Sequence, residues 1–401
     1  MLDCLDCCFF YYYRRDEMTI YLDNAATSWP KPPVMMQGMT DFNTRIGSNP
    51  GRSGHSMSIE AGRILFETRD ALSRLFNVSD PMNIVLTPGI THSLNMVIHG
   101  LLKPGDHVIT SSMEHNSVMR PLRELEKHGV ELSVIGCGDS GIIDPDRVRE
   151  SIRPDTSLII LTHASNVTGS IQPVEEVGRI AREHGIVYCI DSAQTAGALT
   201  VDVEAMNIDL LCFSGHKSLL GPMGTGGMYI RKGVENRIIP LMQGGTGSRS
   251  EYELQPEFMP DRFESGTLNA LGFAGLLKSV EFILEQGVER IEQKENRLVE
   301  QLLAGLSGIN VVTVYGPGNL HQRSAAVSFN INGVNPSEVS LYLDEEHGIM
   351  SRPGLHCAPS AHKTTGTFPS GTNRLSPGYF TTEDEIDAAV KAVHSLAARN
   401  K

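Results

Sequence analysis

The amino-acid sequence predicts an α/β protein, with a large domain built on a mostly parallel sheet flanked by helices and a smaller α+β domain after it. Short apolar runs alternate with longer helical patterns through the first part of the 401 residues. These runs are rich in Val, Ile and Leu without polar alternation, which is typical of strands buried on both faces of a parallel sheet. From about Leu271 long helical patterns take over, and this change indicates the second domain.

The predicted strands of the large domain recur with helical patterns between them. Such alternation gives right-handed crossovers between parallel strands. The helix predicted over Ser58–Phe76 carries apolar residues every three or four positions, and that over Pro173–His184 opens with a proline, which favours the first helical turn. The predicted strands are Asn83–Thr87, His107–Thr110, Glu131–Ile135, Ser157–Thr162, Ile186–Ile190, Leu210–Phe213 and Gly227–Ile230.

The second domain is predicted from a different order of elements. We expect residues 19–270 to form the large domain and residues 271–401 the small one, although the first residues of the large domain could join the small domain. The predicted elements are helices over Leu271–Glu285 and Val288–Leu306, a strand over Ala325–Ile331, a helix over Pro336–Glu346, a Gly/Pro/Ser/Thr-rich stretch from Ser351 to Gly378 and a helix from Thr382.

The charge and cysteine content restrict the function. With 34 basic and 47 acidic residues the chain has a formal charge of −13, which argues against nucleic-acid and anionic-membrane partners because both need a basic surface. No apolar run approaches the roughly 18 residues of a membrane helix. Seven cysteines is an odd number, and Cys137, Cys189 and Cys212 lie in or beside apolar runs. Free buried thiols suit a reducing compartment, so we expect a cytoplasmic protein.

The first 18 residues are unlike the rest of the chain. They contain Cys4, Cys7 and Cys8, followed by five aromatic residues. Acidic residues and the absence of a small-residue cleavage site argue against a signal peptide. No His or Cys pair follows at ligand spacing, so we predict a disordered extension over residues 1–18 rather than a metal site.

Polar residues directly follow five of the predicted strands. In open α/β sheets, ligands bind at the carboxyl ends of the strands. The five strand ends supply a helix start suited to an anion, an imidazole, an amide, a carboxylate and a lysine. In chain order the segments are Gly89-Ile-Thr91-His92, Glu114-His115-Asn116, His163-Ala-Ser-Asn166, Asp191-Ser-Ala-Gln194 and Ser214-Gly-His216-Lys217.

These residue types match the requirements of pyridoxal 5′-phosphate (PLP). The amine of Lys217 can hold PLP through a Schiff base, and the carboxylate of Asp191 can keep the pyridine nitrogen protonated. His115 can stack on the ring and move protons, and Gln194 can donate to the phenolic oxygen. Each residue alone has an ordinary structural explanation, such as a strand-end cap for an aspartate. Together they predict a PLP site.

The phosphate of PLP would lie at the predicted helix start. Helix N-termini bind anions through unpaired backbone N–H groups. We interpret His163 as structural and Asn116 as a helix cap. The candidate phosphate-side and cofactor-binding residues are Thr91, His92, Ser214 and His216.

A second locus surrounds a cysteine in the small domain. Cys357 follows His356 in a loop rich in glycine and proline, where a core thiol is not expected. A thiolate there would be a strong nucleophile, although a buried structural cysteine is the alternative. Arg374, and Arg352 at the start of the loop, are candidate binders of a substrate carboxylate, which an arginine can hold through two hydrogen bonds. A surface arginine is the ordinary alternative.

On these residues, the chain resembles the class V aminotransferase-like, fold-type I PLP enzymes, and among them the cysteine desulfurases and selenocysteine lyase relatives. The likeness runs from Tyr21-Leu-Asp-Asn-Ala-Ala-Thr27 to the final helix. Ser214-Gly-His-Lys217 and Asp191-x-x-Gln194 are highly specific when found together. Arg352-x-Gly-x-His-Cys357-Ala is similar to the second group of desulfurases, which carry the cysteine on a short loop.

The resemblance implies a role for each candidate residue. Lys217 would carry PLP and remove the substrate Cα proton, and Cys357 would take the sulfur as a persulfide while alanine leaves. Asn166 and Arg374 would bind the substrate carboxylate. Thr267, in the segment Phe263-Glu-Ser-Gly-Thr267, would reach the phosphate of a neighbouring subunit, which implies a homodimer. His115 would stack on the ring, Asp191 would meet the ring nitrogen, Gln194 the phenolic oxygen, and Thr91, Ser214 and His216 the phosphate.

The same resemblance leaves other functions open. The sulfur would pass to an acceptor protein or thiol for iron–sulfur clusters or thiolated cofactors. Pro353, Leu355 and the segment from His362 to Pro369 depart from the familiar pattern, which leaves the substrate open between L-cysteine, L-selenocysteine and cysteine sulfinate. An aminotransferase would not need the loop thiol of Cys357. A non-enzymatic PLP-binding protein would explain Lys217 but neither Cys357 nor Arg374.

Overall fold

The computed structural model describes residues 19–51 and 53–399. The extension predicted for residues 1–18, with its three cysteines, therefore lies outside the described residues. Within the described ranges no helix has both the length and the apolar character needed to cross a membrane. The same ranges contain no group of three or more His, Cys, Asp or Glu side chains placed to hold a metal ion.

Seven strands form the large sheet, in the order β2-β8-β7-β6-β5-β3-β4. Neighbouring strands from β4 to β7 pair in parallel, whereas β8 runs antiparallel between β2 and β7. The mostly parallel sheet is thus confirmed, with one reversed strand. Its strands are β2 (Ile84–Thr87), β3 (His107–Ser111), β4 (Glu131–Ile135), β5 (Thr156–Thr162), β6 (Val187–Asp191), β7 (Leu210–Ser214) and β8 (Gly226–Ile230).

Two apolar clusters cover the two faces of this sheet. Side chains of successive strand residues point to opposite faces. Ile159 and Tyr188 accordingly pack in one cluster, and Leu158 and Cys189 pack in the other. Burial on both faces explains why the strands have no polar alternation. The helices of this part are Pro33–Asp41, Ser56–Phe76, Ile90–Leu101, Asn116–Glu126, Pro145–Glu150, Val174–His184 and Ala270–Gln286.

A four-stranded antiparallel sheet, in the order β12-β13-β10-β9, forms the second structural unit. A separate apolar cluster packs between this sheet and its helices, and Leu22 from the start of the chain belongs to it. The division at residue 270 stays a prediction. The strands are β9 (Val312–Tyr315), β10 (Val327–Ile331), β12 (Arg352–Gly354) and β13 (Thr372–Leu375), and the helices are Val288–Ser307, Pro336–His347, Pro359–Thr364 and Glu383–Arg399.

The N-terminal segment joins the two units. Strand β1 (Ile20–Tyr21) pairs in parallel with β11 (Ile349–Met350), so the first described residues lie beside the second unit. After β1 the chain crosses to the large sheet, where Ser28 N donates a hydrogen bond to the carbonyl of His216. This crossing brings residues 23–31 between the two predicted groups of site residues, which are the strand-end residues around Lys217 and the loop around Cys357.

Candidate active site

The carboxyl ends of β3, β5, β6 and β7 meet at one edge of the large sheet. Parallel strands place their carboxyl ends at the same edge, which is why residues far apart in sequence converge there. The structure brings eight of the predicted site residues around one cavity. They are Thr91, His115, Asn166, Asp191, Gln194, Ser214, His216 and Lys217.

Lys217 and Asp191 provide the two opposite charges of the cavity. Burial lowers the pKa of Lys217 to about 8, and the carboxylate of Asp191 opposes that shift. Asp191 is 3% exposed, and its burial raises the pKa of the carboxyl group, against a hydrogen bond from Ala193 N and the charge of Lys217. Asp191 Oδ1 accepts that bond at 2.9 Å, so the carboxylate both caps the strand end and faces the cavity.

His115 is fixed as a neutral imidazole. It is the N-cap residue of the Asn116–Glu126 helix, and its Nδ1 accepts a hydrogen bond from Ser117 N at 3.1 Å. The ring proton therefore lies on Nε2. Burial and then the positive charge of Lys217 lower the pKa of His115 to about 4. The prediction that Asn116 caps this helix is wrong, because the cap is His115 and the Asn116 N–H donates to the carbonyl of Cys357 at 2.8 Å.

The phosphate-side residues have unused hydrogen-bonding groups. Gly89 precedes the Ile90–Leu101 helix, as predicted, and Thr91 lies in its first turn beside the cavity. Ser214 Oγ and His216 Nδ1 are buried there and make no hydrogen bond. Buried polar atoms without partners are rare, and here they face the start of a helix, which favours an anion. The cavity fits a phosphate group at this end.

Two predicted cofactor-binding residues, His92 and Thr267, do not line this cavity, and neither does His163, which was interpreted as structural. His92 lies on the same helix as Thr91, but its side chain does not line the cavity. Thr267 is exposed, outside the cavity formed by this chain. His163 is buried, its Nδ1 has no hydrogen-bond partner, and burial lowers its pKa to about 4. It does not line the cavity either.

Two amide side chains of the site also hold the surrounding backbone. Gln194 Nε2 donates to the carbonyl of Ala25 at 3.0 Å, and Asn166 Nδ2 donates to the carbonyl of His356 at 2.7 Å. An amide group has two N–H donors, so each residue keeps one for a ligand.

Arg374 lies in β13, opposite Arg352 of β12. Its side chain is 1% exposed and is held at two points. Nη1 donates to the carbonyl of Asn166 at 2.8 Å, and Nη2 donates to Asp23 Oδ1 at 2.6 Å. The buried Nε has no hydrogen-bond partner. The guanidinium thus contacts Asn166 and keeps an unused donor at Nε, as a binder of a carboxylate requires.

Cys357 is the exposed thiol among the cysteines that the described residues contain, whereas Cys137, Cys189 and Cys212 are buried. His356 and Cys357 both have left-handed backbone, with φ of 49° and 57°. Few residues other than glycine adopt this conformation unless the surroundings impose it. An exposed thiol on a constrained backbone contradicts the alternative of a buried structural cysteine.

Three residues that hold this site from outside it were not predicted from the sequence. Thr27 Oγ1 and Lys31 Nζ donate to the carbonyl of His216 at 3.0 and 2.8 Å, and Ser28 Oγ donates to the carbonyl of Lys217 at 2.8 Å. Burial lowers the pKa of Lys31 to about 7. The signal was present in the polar residues that follow Tyr21, but which backbone they reach depends on the tertiary fold.

Glu114 is a further residue for which no role was predicted from the sequence. It is fully buried directly before His115, and its carboxyl group accepts hydrogen bonds from Thr162 N at 2.9 Å and from Ser111 Oγ at 2.5 Å. Burial raises the pKa of Glu114 to about 8. The contact to Thr162 joins the ends of β3 and β5, which carry His115 and Asn166.

The large sheet carries a lysine and a carboxylate at its edge, and a helix start beside them forms an anion site. Together these features define a fold-type I PLP-dependent enzyme. The chain belongs to the aminotransferase class-V family, whose model matches residues 20–389. Members of this family use PLP, and the residues described above fit it.

Proteins named as cysteine desulfurases resemble the chain over nearly its whole length. A probable cysteine desulfurase of Methanothermobacter thermautotrophicus is 36% identical over 385 residues, and that of Pyrococcus abyssi is 34% identical over 387; each match covers 94% of both chains. The apo structure of a cysteine desulfurase from Thermococcus onnurineus superposes with a TM-score of 0.89 at 34% identity, covering 95% of both chains.

Proposed function

We propose that the chain is a PLP-dependent cysteine desulfurase, which takes sulfur from L-cysteine onto Cys357 and releases L-alanine. The observation that carries this proposal is the exposed thiol of Cys357 on a constrained loop, whose backbone is bonded to two elements of the cofactor site. Asn116 N holds the carbonyl of Cys357, and Asn166 Nδ2 holds the carbonyl of His356. The names of the relatives support the same activity.

The residues around the cavity would hold PLP as follows. Lys217 would attach the cofactor covalently, and Asp191 would meet the ring nitrogen. His115 would stack on the ring, and Gln194 would donate its remaining amide hydrogen to the phenolic oxygen. The phosphate would lie against Thr91, Ser214 and His216, where two buried polar atoms have no partner.

The bound substrate would be oriented by its carboxylate. Arg374 and Asn166 are neighbours, because Arg374 Nη1 is bonded to the backbone carbonyl of Asn166, and each side chain keeps an unused N–H donor. Arg352, opposite Arg374 in the register of β12 and β13, adds a second positive charge. Bidentate recognition of a carboxylate favours arginine over lysine at this position.

Lys217 would move the protons of the reaction. Its pKa of about 8 lets the amine exist in both protonation states near neutral pH, so it can take the substrate Cα proton and return one. PLP, when bound, supplies the electron sink that makes this proton acidic.

Cys357 would then attack the substrate sulfur as a thiolate. A sulfur–sulfur bond forms while the Cβ–S bond of the substrate breaks, and a proton completes the methyl group of alanine. One cysteine and one thiol give one alanine and one persulfide, so no outside oxidant or reductant is needed. The persulfide sulfur would pass to a thiol of an acceptor, for use in iron–sulfur clusters or thiolated cofactors.

We further propose a homodimer in which Thr267 of one subunit reaches the phosphate site of the other. Thr267 is exposed and lies off the cavity of its own chain. Large apolar side chains are exposed in the preceding segment, with Leu254 at 84% and Ile239 at 68%. We interpret these exposed residues as part of the surface that the second subunit covers. The reactive thiol of Cys357 suits the reducing conditions of the cytoplasm, where we place the enzyme.

The test is to incubate the purified holoenzyme with L-cysteine and to measure alanine and the mass of the cysteine peptides. We expect alanine together with a mass gain of one sulfur on the peptide that contains Cys357. The Cys357→Ser variant should give almost no alanine and no sulfur on that peptide. Sulfur on another cysteine, or alanine formed at the wild-type rate by Cys357→Ser, would refute the proposal.

A further inference from the structure

A chain of three hydrogen bonds runs beneath the loop that carries Cys357. His356 Nε2 lies 3.0 Å from the carbonyl of Arg352, and His356 Nδ1 lies 3.2 Å from His362 Nε2. His362 Nδ1 lies 2.7 Å from Thr367 Oγ1. Both imidazoles are buried, with exposures of 3% and 0%. The chain therefore links both ends of the segment from residue 352 to residue 367.

Only one set of ring protons satisfies this chain while both rings are neutral. The carbonyl of Arg352 can only accept, so the proton of His356 lies on Nε2. His356 Nδ1 must then accept, and His362 donates to it from Nε2. His362 Nδ1 in turn accepts from the hydroxyl of Thr367. Burial lowers the pKa of His356 to about 3 and that of His362 to about 4, which keeps both rings neutral at working pH.

The backbone above this chain is in a conformation that its side chains disfavour. His356 and Cys357 follow one another with φ of 49° and 57°. Three contacts hold the loop backbone: Ala358 N donates to the carbonyl of Leu355, and the carbonyls of His356 and Cys357 accept from Asn166 and Asn116. The side chain of His356 is held by the carbonyl of Arg352 on one side and by His362 on the other.

We propose that His362 is a positioning residue, which holds His356 and thereby presents the thiol of Cys357 to the substrate. His362 lies on the Pro359–Thr364 helix and does not line the cavity that contains Lys217. An apolar side chain would fill the same buried volume but would leave His356 Nδ1 without a donor. This inference rests on the proposed function of Cys357 as the residue that receives sulfur.

The test compares His362→Phe with His362→Gln in the holoenzyme. We expect His362→Phe to keep the absorption of bound PLP and its change on addition of L-cysteine, because Lys217, Asp191 and Arg374 are untouched. Alanine formation at saturating cysteine should fall at least about tenfold, since misplacement of a reacting atom by about 1 Å can cost about a hundredfold. His362→Gln, whose amide can donate to His356 Nδ1, should recover most of the rate.

His107→Phe is the matched control. His107 is also fully buried, and its two ring nitrogens lie 2.8 and 2.9 Å from Thr156 Oγ1 and Ser133 Oγ. It begins β3, at the end of the sheet opposite the cavity. Replacing His107 should disturb folding about as much as replacing His362. It should leave the rate of alanine formation per folded holoenzyme unchanged. An equal loss of rate in His107→Phe would overturn the inference.

Three further outcomes would overturn the inference, and a fourth would refute the proposed function. If His362→Phe forms alanine at the wild-type rate, or if His362→Gln is as slow as His362→Phe, His362 does not position the thiol. If His362→Phe does not fold, Thr367→Val removes the hydroxyl that donates to His362, and an unchanged rate in that variant overturns the inference. A wild-type protein that puts no sulfur on Cys357 would instead refute the proposed function.

Discussion

Asp23 and Arg374 form an ion pair across 351 residues of sequence, with 2.6 Å between Asp23 Oδ1 and Arg374 Nη2. The side chain of Arg374 is 1% exposed and that of Asp23 is 21% exposed. Burial lowers the pKa of Arg374, and the charge of Asp23 opposes this. Arg374, the proposed binder of the substrate carboxylate, is thus already paired with a carboxylate before the substrate arrives. The proposal implies that Asp23 and the substrate carboxylate share or compete for one guanidinium.

The variant Asp23→Asn should therefore be less stable without ligand and more strongly stabilised by one. Breaking a fully buried pair costs about 3–5 kcal/mol, and we expect about 2 kcal/mol here because Asp23 is partly exposed. A carboxylate ligand such as L-alanine should restore part of the loss. Thermal unfolding with and without L-alanine measures both effects.

The exposed pair of Asp41 and Arg45, 3.7 Å apart, provides the control. Asp41→Asn should change neither stability nor the effect of L-alanine, because exposed pairs contribute little. If L-alanine stabilises Asp23→Asn no more than the wild type, Arg374 does not bind the ligand carboxylate.

The amine of Lys217 should attach PLP to the apoprotein with a marked pH dependence. Attachment needs the neutral amine. Because burial lowers the pKa of Lys217 to about 8, its neutral fraction rises about tenfold per pH unit below pH 8 and levels off above it. An ordinary lysine would still be rising at pH 10. Borohydride trapping at a series of pH values, followed by peptide mapping, measures the yield on Lys217.

Lys31 offers a matched control for this experiment. It is the other lysine near the site, its Nζ donates to the carbonyl of His216, and burial lowers its pKa to about 7. Lys31→Ala should still be trapped at Lys217, whereas Lys217→Ala should yield no covalent cofactor. Covalent cofactor in Lys217→Ala at the wild-type yield would mean that another amine is used.

Much of this site could be predicted from sequence because strand ends carry it. Each strand of the large sheet lies within one residue of its predicted range, since runs such as Ser157–Thr162 are buried on both faces. The reversed direction of β8 was not predicted, because an apolar run carries no sign of direction. Only the short connection from Ser214 to Gly226, which leaves no room for a crossover helix, indicates it.

The contacts that were not predicted all depend on tertiary structure. The stretch from Ser351 to Gly378 contains two strands and a short helix that its glycines and prolines obscured. His356 pairs with the side chain of His362, and Lys31 Nζ donates to the backbone carbonyl of His216. The sequence around these residues shows no pattern that predicts either contact. Composition indicated a loop with a reactive thiol, but it did not indicate which residues hold that loop in place.

The variant Asp191→Asn should bind PLP more weakly and turn over more slowly. The amide can still accept the hydrogen bond from Ala193 N, but it lacks the charge that keeps the ring nitrogen protonated. We expect a loss of at least about tenfold in turnover, which corresponds to about 1.4 kcal/mol. Cofactor titration of the apoprotein and alanine formation measure the two effects.

Asp209→Asn is the control for the loss of a carboxylate that is mostly buried. Asp209 accepts from Tyr188 N and pairs with Arg231 at the amino end of β7, away from the cavity. Burial raises the pKa of Asp209 as it does that of Asp191. The control should keep the PLP affinity of the wild type. Undiminished turnover in Asp191→Asn would mean that Asp191 only caps the end of its strand.

The proposed dimer predicts that mutations of the exposed apolar segment act on the cofactor. Tyr252 and Leu254, at 64% and 84% exposed, do not line the cavity of their own chain. Leu254→Asp should shift the protein from dimer to monomer in sedimentation and weaken PLP binding, because Thr267 of the neighbouring subunit is lost with it. The exposed Leu341 on the Pro336–His347 helix, at 55%, serves as control through Leu341→Asp. A wild-type monomer with full activity would contradict the shared site.

Alanine formation from L-cysteine should depend on Cys357 more strongly than alanine formation from L-selenocysteine. Attack by its thiolate is needed to take sulfur from a substrate whose own leaving group is poor. A selenol is more acidic and leaves more readily, so its release depends less on an attacking thiol. Cys357→Ser should therefore lose nearly all alanine formation from L-cysteine while keeping a measurable part of that from L-selenocysteine.

Cysteine sulfinate, which presents no thiol sulfur, should behave like the selenium substrate. Alanine measured from the three substrates, with wild type and Cys357→Ser at equal PLP content, decides the matter. An equal loss for all three would mean that Cys357 serves the site in another way than by receiving sulfur.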